Sequence, residues 1–169
     1  MQLIKRETYL NRLISLRGTP DIKVITGVRR SGKSKLLEEY IEWIEENDSK
    51  SNIISIDLTN LKFEDLKEYH ALNNYIEDKN KKKKENYIFI DEVQMCEQFE
   101  LTINSLHSTG EYDIYVTGSN AFLLSSDLAT LFTGRTYEIE IYPFSFSEYL
   151  QYYKMSDIQI AFDRYMKEG

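Results

Sequence analysis

The sequence is short of the residues that mark several common protein classes. It has one cysteine, Cys96, so no intramolecular disulfide can form. Its two histidines, His70 and His107, stand far apart and make no metal-ligand cluster. The longest apolar runs are about six residues, well under the roughly 20 that a membrane-spanning helix needs. The opening Met1-Gln2-Leu3-Ile4-Lys5-Arg6 lacks the apolar core of a signal peptide. The expectation is a reduced, cytoplasmic setting with no membrane partner. Positive charge is also in deficit. The 21 Lys and Arg against 28 Asp and Glu leave a net charge of −7. That argues against broad attraction to nucleic acid, although a locally basic face stays open.

What is present is a phosphate-binding loop. Gly27-Val28-Arg29-Arg30-Ser31-Gly32-Lys33-Ser34 matches the pattern G-x-x-x-x-G-K-[ST] at every fixed position. From average residue usage such a match arises by chance in only a few windows per ~10⁵. Context strengthens it: the apolar run Ile22 to Thr26 precedes the loop, and a helical pattern, Lys35 to Glu46, follows. The glycines are expected to allow backbone conformations closed to other residues. Successive N–H groups, from Val28 through Lys35, would then face an anion, aided by the positive end of the new helix. Lys33 would reach the β- and γ-phosphates, and the Ser34 hydroxyl would ligate Mg²⁺. Arg29 and Arg30 read equally well as nucleotide or partner contacts and as solvated side chains.

At 169 residues, 41 % hydrophobic, the chain suffices for one well-buried domain. Leu3 to Leu16 reads as an amphipathic helix that stops at Arg17-Gly18-Thr19-Pro20. The helix after the loop puts Leu36, Leu37, Tyr40, Ile41 and Ile44 on one side and its glutamates mostly on the other, with Trp43 packing beside Tyr40. Further strands are expected at Asn52–Leu58, Tyr87–Ile90, Ile114–Thr117 and Tyr137–Ile141. Helices are expected at Phe63–Asp78, Glu97–Ser108, near Leu128–Phe132, and from Ser145 through Tyr153. The spacing Ser145-x-x-Glu148 is a capping box. The run from Lys79 to Lys84 reads as a solvated turn, a nucleic-acid contact being the sharper alternative. The first, third and fourth strands are apolar on both faces, as in a parallel sheet covered by helices, whereas the last alternates and belongs at an edge. These elements predict an α/β three-layer sandwich of the P-loop type, its mostly parallel five-stranded sheet ordered 5-1-4-3-2.

Two carboxylates follow the third strand. Asp91 would approach Mg²⁺, directly or through water, and Glu92, where the chain turns, would lean toward the water that attacks the γ-phosphate. One strand lies between loop and Asp-Glu in sequence. That spacing favours the NTPase branch with an added strand and a catalytic glutamate over small-molecule kinases and GTPases. At the end of the fourth strand, Ser119 or Asn120 is expected to sense the γ-phosphate. Arg135, after Gly134, is expected near the ligand-binding rim, acting in its own site or a neighbour's.

Five segments in order carry a resemblance. Val24–Ser34 with its paired arginines, Ile88–Gln94 with Asp-Glu-x-Gln, Tyr115–Asn120 with Thr-Gly-Ser, Leu128–Arg135 ending in Gly-Arg, and Ile141–Tyr149 with Pro-x-Ser-Phe-x-Glu-Tyr are similar to the AAA+-related ATPases of archaea and bacteria. The likeness covers roughly residues 1 to 153. It implies ATP or ADP with Mg²⁺, and an ATPase acting as a motor or switch. A nucleotide-dependent regulator with little turnover is the alternative. Family members usually continue into winged-helix-like and nuclease-like regions. The resemblance thus implies that residues 154–169 begin such a region, and leaves a homo-oligomer and a DNA or protein partner open.

Overall fold

The computed structural model describes residues 6–119, 131–132 and 135–168. Five strands, β1 (Ile22–Gly27), β2 (Ser51–Asp57), β3 (Glu85–Asp91), β4 (Tyr112–Ser119) and β5 (Thr136–Ile141), form one sheet. Its order is β2-β3-β4-β1-β5, the expected order read from the other edge, and every pairing is parallel. Among the described residues the helices are α1 (Glu7–Leu16), α2 (Lys33–Asn47), α3 (Tyr69–Lys79), α4 (Phe99–Thr109), α5 (Phe146–Tyr153) and α6 (Ile158–Glu168). Among the described residues no helix is long and apolar enough to cross a membrane.

Neighbouring strand residues point to opposite faces, which explains why central strands with apolar residues on both faces feed two cores. On one face Val24, Ile54, Ile88, Ile90, Ile114 and Val116 pack with Leu72 and Ile76 of α3 and Ile103 and Leu106 of α4. On the other, Ile25, Tyr87, Phe89, Tyr115 and Ile139 pack with Leu13 of α1 and Leu36, Leu37, Tyr40 and Ile44 of α2. Trp43 stacks on Tyr40 with ring centroids 6.3 Å apart. The alternating strand β5 takes the edge beside β1, and only Ile139 and Ile141 of its residues are buried.

Three local expectations are corrected. The stretch Phe63–Asp78 is not one helix but a 3-10 segment, Leu61–Leu66, followed by α3. Glu68 breaks it: its backbone is extended, its carboxylate accepts from the N–H groups of His70 and Ala71, and it bridges Glu97. Lys23, within the run taken as apolar, is fully buried. Its ammonium donates to Asp113 Oδ1 (2.6 Å) and to the Thr19 carbonyl (2.7 Å). Glu39 is likewise buried rather than on a solvated face. The lysines from Lys79 to Lys84 are exposed between α3 and β3. The helix expected near Leu128–Phe132 falls almost wholly outside the described residues, although Phe132 itself is buried against Phe99.

Candidate phosphate site

All the strands run the same way, so their C-terminal ends form one rim of the sheet. Gly27 is level there with Ser119 of β4 and Ile141 of β5, and Asp57 is level with Asp91. The loop leaves β1 at Gly27 and enters α2 at Lys33. Its two glycines are needed for different reasons. Gly32 sits at φ +96°, a conformation that side chains disfavour. Gly27 has no unusual φ; it is needed for space, because a Cβ there would lie 2.6 Å from the Ile141 carbonyl oxygen and 2.5 Å from Ser31 Oγ. Arg30 also adopts a positive φ, +66°.

The residues present suit a phosphate. Gly32 caps α2 without a side chain, so the first-turn N–H groups, including that of Lys35, have no side-chain cap. Lys33 is 5 % exposed, and among the described residues its ammonium donates to the Gly27 (2.9 Å) and Val28 (3.0 Å) carbonyls. A buried cation held by neutral carbonyls, inside a ring of backbone, suits an anion. Ser34 is exposed, and its hydroxyl donates to Asp91 Oδ2 at 2.5 Å. The pair Ser34 and Asp91 is an all-oxygen donor set suited to Mg²⁺.

Around Asp91 the rim is acidic. Burial pushes its carboxyl above the ordinary aspartate range. Hydrogen bonds from Ser34 and Thr117 oppose that shift, and the charges of Asp57 and Glu92 add to it. Glu92 lies in the left-handed region (φ 55°, ψ 54°), its N–H bonded to Thr117 Oγ1 (3.0 Å) and its carboxylate to the Gln94 amide.

A family profile described as "AAA domain" matches residues 19–150. The chain belongs to this family. An uncharacterized protein of Haemophilus influenzae is 42 % identical over 150 residues, which is 88 % of this chain and 38 % of that protein. The chain thus spans well under half of that relative. Among solved structures, the ADP complex of S. cerevisiae Hsp104 superposes with a TM-score of 0.69 at 18 % identity, over 90 % of this chain and 24 % of that one. Cdc6p from Pyrobaculum aerophilum gives 0.65 at 14 % identity, over 90 % and 49 %. At such identities the structural likeness establishes the fold alone. Fold and family together make the chain a nucleotide-binding module of the ATPase type.

Within this AAA domain the structure brings together Gly27–Ser34, Asp91, Glu92 and the backbone of Ser119. Asn120 lies outside the described residues. The side chains of Arg29, Arg30 and Lys35 are exposed, and Lys35 is paired to Glu38 (2.8 Å) rather than turned into the loop. Arg135 is the clear displacement. It precedes Thr136, which is level with Ile22 at the start of β1, so it occupies the rim opposite the loop. Five residue steps of about 3.3 Å separate those rims, roughly 17 Å. Four further residues shape the site: Thr117, Asp57, Gln94 and Arg6, whose guanidinium bonds the Ser31 carbonyl at 2.7 Å. Thr117 stood in a stretch already singled out, but Arg6 carries no motif that would reveal it.

Proposed function

We propose that this AAA domain binds ATP with Mg²⁺ and hydrolyses it, driving a motor or switch in a longer protein. The observation that carries the reading is the junction of loop and acidic strand, where the Ser34 hydroxyl meets the Asp91 carboxylate at 2.5 Å. Lys33 and the loop N–H groups bind and orient the phosphates. Ser34 and Asp91 would hold the metal, which when bound would screen the charge on the phosphate oxygens. Glu92 accepts a proton from the attacking water and aligns it for in-line attack, and Ser119 or Asn120 contacts the γ-phosphate. Arg135, at the opposite rim, reaches a nucleotide only in a neighbouring protomer, so its role on this reading requires assembly.

A second reading is a nucleotide-dependent regulator of DNA or a protein, with little turnover. One observation favours it: the Glu92 carboxylate is held by Gln94 rather than left free for water. Phosphate release, with and without DNA, separates the two. Lys33→Ala should abolish nucleotide binding by calorimetry. Glu92→Gln should keep ATP affinity while lowering turnover by roughly 10²-fold or more, the range for a lost general base. Equal ATP affinity in wild type and Lys33→Ala removes the central reading. An unchanged rate in Glu92→Gln removes the role of Glu92.

A further inference from the structure

Arg6 carries a full charge yet is only 8 % exposed. A buried cation is costly unless it is paired and hydrogen-bonded, so the contacts of Arg6 need a reason. Its guanidinium touches three separate parts of the chain. Nη1 donates to the Ser31 carbonyl (2.7 Å), Nη2 to the Tyr142 carbonyl (2.7 Å), and Nε to Glu148 Oε1 (3.0 Å). The rings of Tyr9 and Phe144 lie 4.6 and 5.5 Å from its Cζ.

Glu148 is committed on both sides. Its second oxygen accepts the Ser145 N–H at 2.7 Å, and Ser145 Oγ accepts the Glu148 N–H at 3.3 Å, closing the capping box of α5. The start of α5 is tied in turn to α6. Tyr165 donates its hydroxyl to the Phe144 carbonyl (2.8 Å), and Phe146 packs on Phe162 and Tyr165 at 5.3 and 5.5 Å. Arg6 therefore joins the phosphate loop on one side to the α5–α6 pair on the other.

The bond to Ser31 has a geometric consequence. Across a trans peptide, C=O and the following N–H point in opposite directions. Holding the Ser31 oxygen toward Arg6 turns the Gly32 N–H away from it. We propose that Arg6 is a positioning residue for phosphate, aiming the Gly32 N–H at the anion and linking that geometry through Glu148 to α5 and α6. The proposal rests on the reading that this loop binds nucleotide. Linkage is reciprocal: whatever factor docked α5–α6 adds to nucleotide affinity, nucleotide adds to the docking of α5–α6.

The test measures MgADP binding by calorimetry for wild type, Lys33→Ala, Arg6→Ala, Arg6→Lys and Glu148→Gln. Amide exchange across residues 142–153 is followed with and without MgADP. Arg6→Ala should weaken binding roughly 10- to 100-fold, the range for a lost hydrogen bond to a charged group. Arg6→Lys should restore only part of this, because an ammonium cannot reproduce the planar fork that meets three acceptors. Glu148→Gln keeps an acceptor for the Ser145 N–H but loses the charge partner, and should weaken binding about 3- to 10-fold. In wild type MgADP should slow exchange in 142–153, and in Arg6→Ala that response should vanish. A lowered Tm with wild-type affinity and a wild-type exchange response overturns the proposal, since a merely structural strut gives that result. If Arg6→Ala does not fold, wild-type affinity in Glu148→Gln overturns it. Failure of wild type itself to bind MgADP overturns the nucleotide reading and this proposal together. Binding lost in Lys33→Ala but intact in Arg6→Ala overturns this proposal alone.

Discussion

Replacing Gly27 with alanine probes the tightest point of the site. The new Cβ would lie 2.5 Å from Ser31 Oγ and 2.6 Å from the Ile141 carbonyl oxygen. The two clashes differ in kind. Ser31 Oγ is buried and has no hydrogen-bond partner among the described residues, so it can rotate aside at little cost. The Ile141 carbonyl belongs to β5, which pairs with β1 along its whole length, so it moves only if a strand or the loop moves. Overpacking of this kind costs about 1–3 kcal/mol. With a urea slope near 2 kcal/mol per molar, the denaturation midpoint should fall by about 0.5–1.5 M. Because the displacement begins at the first residue of the loop, MgADP affinity should fall at least about tenfold, or ~1.4 kcal/mol. Adding Ser31→Ala tests the division between the clashes. It should return only a few tenths of a kcal/mol, as for weakly coupled positions. A Gly27→Ala protein with wild-type midpoint and affinity refutes the reasoning, and so does full rescue by Ser31→Ala.

Two further perturbations concern the opposite rim. Asp113→Ala removes the acceptor of the Lys23 ammonium (2.6 Å), of the Tyr115 hydroxyl (2.8 Å) and of the Gly18 N–H (2.9 Å). It leaves a fully buried cation and should cost about 3–5 kcal/mol by urea denaturation, with MgADP affinity unchanged in the folded fraction; a wild-type midpoint would show that Lys23 finds water. Arg135→Lys should leave nucleotide affinity intact yet slow turnover by roughly 10²- to 10³-fold, because lysine does not copy the guanidinium's paired contacts to phosphate. Wild-type specific activity should also rise with protein concentration, and activity independent of both makes Arg135 a surface residue.

The parts of the fold that sequence reveals are those governed by local rules. Loop, strand and helix around Gly27–Ser34 are legible because the motif requires that order, and the sheet follows because β1, β3 and β4 carry apolar residues on both faces. Long-range contacts account for the misreadings. Glu68 caps α3 with its carboxylate, while its extended backbone is bridged to Glu97, a residue with no periodic relation to it. Lys23 is tolerated in a buried strand only because Asp113, 90 positions away, meets it. Arg6 belongs to the site through Ser31, Tyr142 and Glu148, the last of them 142 positions distant. Arg135 is a different case. A residue just ahead of a parallel strand lies at the rim opposite those that end its neighbours, so strand direction alone places it away from the loop in its own chain.

Thr117 shows how β4 organises the two adjacent carboxylates. Its hydroxyl accepts the Glu92 N–H at 3.0 Å and donates to Asp91 Oδ1. A hydroxyl has one proton to give, so the direction of this chain is settled: Glu92 N–H to Thr117, Thr117 O–H to Asp91. The same bond helps hold Glu92 in the left-handed region, which costs a residue with a side chain about 1–2 kcal/mol. That backbone turn solves a geometric problem. Consecutive residues of a regular strand project to opposite faces, and two carboxylates so placed cannot both serve one rim. Breaking the strand at Glu92 leaves Asp91 facing Ser34 while the Glu92 carboxylate swings to Gln94. On the proposed reading, Asp91 then faces the metal position, and Glu92 serves the water only once its carboxylate leaves Gln94. The residue that separates them stands on the strand between β1 and β3, where a single hydroxyl can reach both.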